Sequence, residues 1–292
     1  MSGALTVTRF AACRGIDPTR PTAALGLDPK TGAYHAARAV NVDILPGGGV
    51  ARRAGFRRVA AGAFHSLWSC GRNEAFAGAD DRLVRIVPEA GEAGGVVVET
   101  LAFGLTPGAA LSFVAVGDRV YYANGFEKGM IIGGAALPWG GAADRARPGD
   151  VVEPPAGHLL EYHAGRLFIA AGDTVHFTRG AGAFHLMDPA GGFLPGRGGR
   201  VRMLAAVEDG LFVGTDAEVF FAAGHDPALF VYRRVMDAPP IPGTCLRAPG
   251  IDLSGVAGTD IPGAAVVWAD ARGLCLGRAG GRTDRLVGLP LA

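Results

Sequence analysis

The sequence lacks most of the signals that would assign a reaction. Its four cysteines, Cys13, Cys70, Cys245 and Cys275, lie far apart and form no CxxC pair. We expect free, mostly buried thiols in a protein made in a reducing cytoplasm, with a disulfide between two of them as the alternative. The seven histidines show no zinc-binding spacing, and no calcium loop is present. The sequence therefore predicts no metal site and no cofactor.

Net charge and long apolar runs are also scarce. The formal net charge of +1 over 292 residues gives no bulk attraction to nucleic acid or anionic lipid. We therefore expect no direct recognition of nucleic-acid sequence. No apolar run has the length of a membrane span, and residues 1–18 lack the pattern of a secretory signal. The sequence predicts no membrane partner.

Catalytic patterns are missing as well. No GxSxG elbow occurs, and Ser254 has no base marked beside it. Glu161 and His163 share one face of a predicted strand, and we expect a solvated or hydrogen-bonded pair there. The basic glycine-rich loop at 195–200 lacks a Walker lysine, which favours a connection between repeats. Aspartates near predicted turns are expected for structural reasons. The sequence predicts no catalytic residue and no enzyme.

Glycine and proline are plentiful instead, at 47 and 19 residues spread along the whole chain. This distribution favours many short strands joined by turns. Five segments, starting at Phe64, Leu111, His158, Arg202 and Ala264, share the order strand, turn, strand, turn, strand. Their first turns fall at Gly71, Gly117, Gly165, Asp209 and about Arg272.

The first four turns lie 44 to 48 residues apart, which is close to the repeat of a propeller blade. Residues 96–103 and 229–236 are candidate fourth strands, and residues 249–263 form an insertion in the fifth repeat. The predicted fold is all-β, a β-propeller of five blades. Its innermost strands are predicted near Leu67, Phe113, Leu160, Leu204 and Val266.

Two segments precede the repeats. Residues 1–39 contain several prolines and few large apolar residues, so we expect an irregular, extended arm that is mobile until it binds a partner. Residues 40–44 and 50–59 are predicted to form a hairpin that closes the ring of a propeller spanning residues 40–292. Its second strand carries Arg52, Arg53, Arg57 and Arg58. This positive cluster is either a solvated strand face or a docking site for an acidic partner or a nucleic-acid backbone.

Two stretches resemble a known family. NVDILPGGGVARRAGF at 41–56 is similar to the opening of propeller proteins of tailed-bacteriophage virions. VYYANGFEKGMIIGG at 120–134, followed by LPWG at 137–140, is similar to a second segment of the same proteins. Ala54 and Ala123 depart from the family pattern, where proline and serine are usual.

The resemblance implies a non-enzymatic structural component of a phage neck or tail. Such a protein is made in the host bacterial cytoplasm and resides in the virion. It is present in several copies of a symmetric assembly and contacts other virion proteins, and the resemblance carries over no catalytic residue.

Two alternatives remain at this stage. One is a carbohydrate-binding or carbohydrate-active propeller, which could recognise a host surface and would need convergent acids in its channel. The other is a cellular scaffold of the WD or kelch type, whose signatures the sequence lacks.

Overall fold

The structure, a computed structural model, describes residues 13–16, 34–36, 40–45, 49–71, 73–91, 94–140, 151–180, 182–193, 199–257 and 260–287. The chain divides into two compact units, residues 1–58 and residues 59–292. Within the part of the chain that the structure describes, no helix is long and apolar enough to span a membrane.

The first unit contains two small sheets. Strands β1 (Cys13–Ile16) and β2 (Tyr34–Ala36) pair in parallel, although we predicted no regular element before residue 40. Both strands lie away from the three prolines of this segment, and proline restricts only its own position and the preceding one. The remaining residues of the predicted arm lie outside the described residues, so its extended form stays a prediction.

The predicted hairpin is present but shorter than expected. Strands β3 (Val42–Ile44) and β4 (Val50–Arg52) pair antiparallel, with Val42 opposite Arg52. One more backbone bond joins Arg53 N to Asn41 O at 2.9 Å. Asn41 has a φ of 56°, so the first strand turns away there and leaves no partner for later residues. The prediction of a second strand reaching residue 59 was therefore wrong.

The described residues of the second unit form five four-stranded antiparallel sheets in which each strand pairs with the next along the chain. The first sheet contains β5 (Phe64–Ser69), β6 (Ala75–Ala79), β7 (Arg82–Pro88) and β8 (Val96–Phe103). The second contains β9 (Ser112–Val116), β10 (Arg119–Ala123), β11 (Lys128–Ile132) and β12 (Ala135–Pro138). The third contains β13 (Leu159–His163), β14 (Arg166–Ala171), β15 (Thr174–Phe177) and β16 (Gly192–Phe193).

The last two sheets follow the same order. The fourth contains β17 (Val201–Val207), β18 (Gly210–Thr215), β19 (Val219–Ala223) and β20 (Val231–Met236). The fifth contains β21 (Leu246–Pro249), β22 (Ala264–Asp270), β23 (Gly273–Arg278) and β24 (Arg282–Val287). Helix α1 (Gly250–Ala257) follows β21, and short 3₁₀ turns occupy Pro227–Leu229 and Ala279–Gly281.

Inner strands of the sheets are buried on both faces, and their side chains alternate between two neighbouring sheets. On β10, Tyr122 packs in a cluster with Phe76 of the first sheet, while Tyr121 packs in a cluster with Leu167 of the third. Successive side chains of a strand point to opposite faces, so one strand can contribute to two cores. Gly129 lies opposite Tyr122, and a Cβ at this position would overlap the tyrosine hydroxyl.

Apolar clusters of this kind join every successive pair of sheets from the first to the fifth. The largest fully buried side chain, Trp268, packs between the fourth and fifth sheets against Phe212 at a ring distance of 5.8 Å. The fold is therefore all-β and β-propeller-like, because each sheet packs face to face on the next.

The fifth repeat differs from its prediction. The strand near Val266 was expected to be innermost, but Val266 lies on β22, the second strand of its sheet. The first strand, β21, was not predicted because it is short and ends at Pro249. Helix α1 fills the predicted insertion, where a loop was expected. The insertion thus lies between the first and second strands of the sheet.

The hairpin is not part of the fifth sheet. That sheet takes all four strands from residues 246–287, whereas β3 and β4 pair with each other in a separate two-stranded sheet. Among the described residues, β3 and β4 pair only with each other. The expected role of the hairpin in closing a ring therefore stays a prediction.

Candidate functional site

The four predicted partner-binding arginines lie in and after β4. Arg52 ends the strand, and Arg53 places its Nε 3.0 Å from Asp43 Oδ1 on β3. Arg57 and Arg58 lie in irregular backbone beyond the strand, and all four residues are exposed. They therefore share a short segment rather than one strand face. We call residues 52–58 the arginine segment.

Sequence reasoning missed one member of this segment. The Phe56 side chain is 99% exposed, the highest value among the large apolar residues. An aromatic ring surrounded by arginines has the composition that is enriched where proteins bind one another. Phe56 is the last residue of the stretch at 41–56 that resembles the phage family. The arginine pairs on either side of it, at 52–53 and 57–58, were the sequence feature that could have identified it as part of the site.

A second candidate site lies where the first strands of the five sheets begin. A cavity of about 620 Å³ is lined there by residues of the first four sheets of the second unit and of the segment that precedes β21. The lining comprises Ser66, Leu67, Trp68, Ala109, Ala110, Leu111, Ser112, Phe113, Asn124, Phe126, His158, Leu159, Arg200, Val201, Arg202, Pro242, Gly243 and Cys245. We call this the inner cavity. Its described lining is largely apolar and contains no carboxylate.

Positive charge enters the inner cavity from the start of β17. Arg202 Nε lies 2.5 Å from Asp216 Oδ1, and the Arg200 backbone N–H donates to Asp216 Oδ2 at 3.0 Å. Within the described chain, no carboxylate lies within ion-pair distance of the Arg200 guanidinium. Asp216 thus pairs with the guanidinium of Arg202 alone, and Asp216 itself is not part of the lining.

His158 contributes a neutral polar group to the same wall. Its Nε2–H donates to Val201 O at 2.7 Å, which joins the starts of β13 and β17. Burial lowers the pKa of His158, and the nearby charges of Arg200 and Arg202 lower it further. A neutral imidazole at pH 7 leaves the two arginines as the cationic groups of the cavity.

The turn between β10 and β11 forms another part of the wall. Asn124 Oδ1 accepts hydrogen bonds from the backbone N–H groups of Phe126 and Glu127 at 2.9 and 2.7 Å. This local bonding holds Phe126 at the rim, where its side chain is 68% exposed. The turn predicted at Asn124-Gly125 therefore helps to shape a site that the sequence did not reveal.

The serines of the lining are engaged in structural bonds. Ser66 Oγ accepts from Leu111 N and Ser112 Oγ accepts from Leu160 N, both at 2.9 Å. Each bond joins the first strand of one sheet to the next sheet. Ser66 Oγ also lies 3.0 Å from His65 Nδ1, but the other ring nitrogen of His65, Nε2, has no hydrogen-bond partner among the described residues. No third group therefore orients this imidazole as a base for a serine nucleophile.

The predicted pair of Glu161 and His163 is hydrogen-bonded, but to separate partners. Glu161 accepts backbone bonds from Tyr162 at 2.8 Å and from Ala206 at 3.1 Å, and burial raises its pKa. His163 donates from Nε2 to Gly224 O at 2.8 Å and stacks on His225. Neither side chain is placed to share a ligand with the other. Among the described residues, no group of three or more acidic, histidine or cysteine side chains could hold a metal.

Cys245 is the thiol closest to the inner cavity. Burial, together with the charge of Glu161, raises the pKa of Cys245 to about 12. A thiol with this pKa is protonated at neutral pH and is a poor nucleophile. Like Cys70 and Cys275, it is free, as the sequence predicted.

Comparison with known proteins gives structural likeness only. No family model and no curated protein matches the chain. A functionally unknown protein from Desulfotomaculum acetoxidans has a TM-score of 0.49 at 13% identity, over 78% of this chain and 71% of that one. A protein from Lactobacillus plantarum has a TM-score of 0.49 at 14% identity, over 81% and 73%. Virginiamycin B lyase from Staphylococcus aureus has a TM-score of 0.44 at 11% identity, over 79% and 71%. These likenesses carry no argument about activity or partners.

Proposed function

We propose that this protein is a non-enzymatic structural component of a tailed-phage virion. Five β-propeller blades form a rigid scaffold in the neck or tail, and an extended N-terminal arm and the arginine segment bind other virion proteins. The protein is present in several copies of a symmetric assembly. The observation that carries this proposal is that Phe56 is fully exposed and is flanked in the sequence by two exposed arginines on each side. A partner surface would bury this ring, which is favourable because it removes apolar area from water, and aromatic and arginine side chains are enriched at such interfaces.

Two features of the second unit support the scaffold role. Apolar clusters join each sheet to the next, which gives a stiff base for presenting loops. The first strands of four sheets and the segment that leads into the first strand of the fifth line one cavity, an arrangement that favours five radial blades. An experimental structure with six or more complete blades, or with two stacked sheets, would contradict the blade count.

The carbohydrate-active alternative has less support. It requires a pair of carboxylates facing the channel. The described lining of the inner cavity contains none, and the buried Glu161, whose charge acts on the lining residue Cys245, is held by two backbone N–H groups. The structure offers no observation that favours this alternative over the scaffold.

The test is complementation of a phage that lacks this gene. Replacing the four arginines with glutamate reverses the charge, and we expect incorporation into particles to fall below detection by mass spectrometry. Each exposed ion pair is worth only about 0–1 kcal/mol, so a single Arg→Ala substitution should have no effect. The fourfold lysine variant keeps the charge and is the matched control. Phe56→Ser should reduce incorporation without altering the thermal stability of the isolated protein.

A truncation of residues 1–39 tests the arm separately. We expect it to lower particle yield while the remaining protein stays folded by circular dichroism. Normal incorporation of both the glutamate variant and the truncated protein would overturn the proposed mode of assembly. Absence of the wild-type protein from purified particles would overturn the virion assignment itself.

A further inference from the structure

The inner cavity has the properties of a ligand site. Its volume of about 620 Å³ lies within the range of small-molecule sites, which are mostly apolar and carry few polar groups. The walls come from four different sheets and the segment before β21, so they are held by the fold rather than by one flexible loop. Nothing in the scaffold function requires a cavity of this composition.

Charge indicates what kind of ligand fits. Arg202 is oriented by Asp216 through its Nε, which leaves its terminal N–H groups for another acceptor. Arg200 has no carboxylate partner among the described residues, and the lining itself contains no acidic side chain. His158 donates its Nε2–H to a backbone carbonyl and does not compensate the charge. The wall formed by the start of β17 therefore has one excess positive charge.

The rest of the lining is mostly apolar and therefore suits an uncharged group. Trp68 and Phe113 stack at a ring distance of 5.7 Å, and Leu111, Leu159 and Phe126 also line the cavity. Such a surface binds apolar groups and gains little from a strongly hydrated ion such as phosphate. A ligand with one charged end and an apolar body would meet both parts of the cavity.

The geometry points to the inner cavity as a binding site for a small organic monoanion, a carboxylate with an aromatic or branched aliphatic body. The carboxylate lies against Arg200 and Arg202, because a guanidinium presents paired donors that match carboxylate geometry. The apolar body lies over Trp68 and Phe113. This site is independent of the arginine segment and of the virion assignment.

The experiment uses the full chain and the fluorescent probe 8-anilinonaphthalene-1-sulfonate, which has an anionic group on an apolar body. We expect saturable binding of one probe per chain. Benzoate should displace the probe at concentrations at least tenfold lower than the neutral isostere benzamide, because a charge-assisted hydrogen bond is worth at least a factor of ten. Equal competition by benzoate and benzamide would overturn the assignment of an anion site.

Two variants locate the site. Arg200→Gln removes the uncompensated charge and should weaken probe binding about tenfold. Ala110→Trp fills the cavity at an exposed lining position and should abolish binding. The matched control is Arg119→Gln, an exposed arginine 3.8 Å from Asp118 in the turn at the far end of β9. Unchanged binding in Arg200→Gln or Ala110→Trp, or an equal loss in Arg119→Gln, would overturn the proposal.

Discussion

At the residue scale, Asn124 and Gly125 form the turn that the sequence identified most directly. Gly125 has a φ of 92°, in the region that favours glycine, and its backbone N–H donates to Gly157 O at 2.8 Å. Asn124 Nδ2 donates to Glu127 Oε2 at 2.6 Å, and Glu127 also accepts two bonds from Thr106. Burial alone would raise the pKa of Glu127, but these hydrogen bonds lower it. The turn thus ties the loop after β8 and the segment before β13 to the second sheet.

We expect Gly125→Val to lower the free energy of unfolding by about 1–3 kcal/mol, because a β-branched residue is strained at this φ. Chemical denaturation of the purified variant measures the change. Gly180→Val is the matched control: its φ is ordinary and its Cβ would meet only Arg166 side-chain atoms at 3.6 Å or more. The control should change stability by about 0.5 kcal/mol or less. Equal stability of both variants would show that the backbone conformation is not needed.

A buried ion pair in the fifth sheet gives a prediction for pH. Asp270 is fully buried and accepts bonds from Arg285 Nη1 and Nη2 at 2.8 and 2.6 Å and from Arg272 N at 2.7 Å. The hydrogen bonds from Arg285 are the main cause that lowers the pKa of Asp270. The carboxylate therefore stabilises the folded state fully above its ordinary pKa of about 3.9, and this stabilisation is lost as pH falls through the lowered value.

We expect Asp270→Asn to lower the free energy of unfolding by about 2–3 kcal/mol at pH 7, because a charge-assisted pair is broken in the interior. The difference from wild type should shrink as pH falls below about 4. Urea titrations between pH 7 and pH 2.5 measure it. Asp118→Asn, whose side chain is 81% exposed in the wild type, should show a small difference at every pH. If the difference in unfolding free energy between Asp270→Asn and the wild type stayed constant down to pH 2.5, the assigned ionisation of Asp270 would be wrong.

At the element scale, the sheets are joined by a repeated hydrogen bond as well as by apolar packing. A side chain of one sheet, or of its first turn, accepts a backbone N–H from the segment that forms the next sheet. The bonds are Leu111 N to Ser66 Oγ at 2.9 Å, Leu160 N to Ser112 Oγ at 2.9 Å, Ala206 N to Glu161 Oε2 at 3.1 Å and Ala264 N to Glu208 Oε1 at 2.5 Å. On β13 and β17, the first strands of their sheets, these bonds satisfy N–H groups at an edge that pairs with no further strand among the described residues.

We expect Ser112→Ala to lower the free energy of unfolding by about 1–3 kcal/mol, because the N–H of buried Leu160 loses its acceptor. The matched control is Ser69→Ala. Ser69 Oγ donates to Glu74 O at 2.6 Å in an exposed turn, where water can replace the lost bond, so the cost should be about 0.5 kcal/mol or less. If the two variants lost similar amounts of unfolding free energy, the bond between sheets would make no specific contribution to stability.

At the scale of the whole molecule, the groups near the inner cavity are committed to structure. Ser66 and Ser112 accept backbone bonds, the Cys245 thiol is protonated at neutral pH, and Glu161 is buried against two N–H groups. We therefore expect no turnover on a broad panel of glycosides and esters. Turnover by the wild type that is abolished in Glu161→Gln would contradict this and favour the carbohydrate-active alternative.

The sequence alone determined the class of fold and the phase of four repeats. Strands β8 and β10 occur where they were predicted, and Gly71, Gly117, Gly165 and Asp209 all lie at the first turn of a sheet. These features are local, because turn residues and alternating apolar residues act over a few positions of the chain. The start of the fifth repeat was predicted one strand too late, at β22 instead of β21. The reason is that β21 carries no strand pattern of its own and is held by pairing with β22.

Only the tertiary structure decided which residues meet. The inner cavity collects residues from 66 to 245, and its charge depends on Arg200 and Arg202 facing a lining without carboxylates. Four side chains accept backbone N–H groups from residues 45 to 56 positions away in the sequence, so nothing in their local sequence marks them: Ser66, Ser112, Glu161 and Glu208. The exposure of Phe56 likewise depends on the strand ending at Arg52. Contacts of this range follow from how the sheets pack on one another, and no local pattern of residue types encodes them.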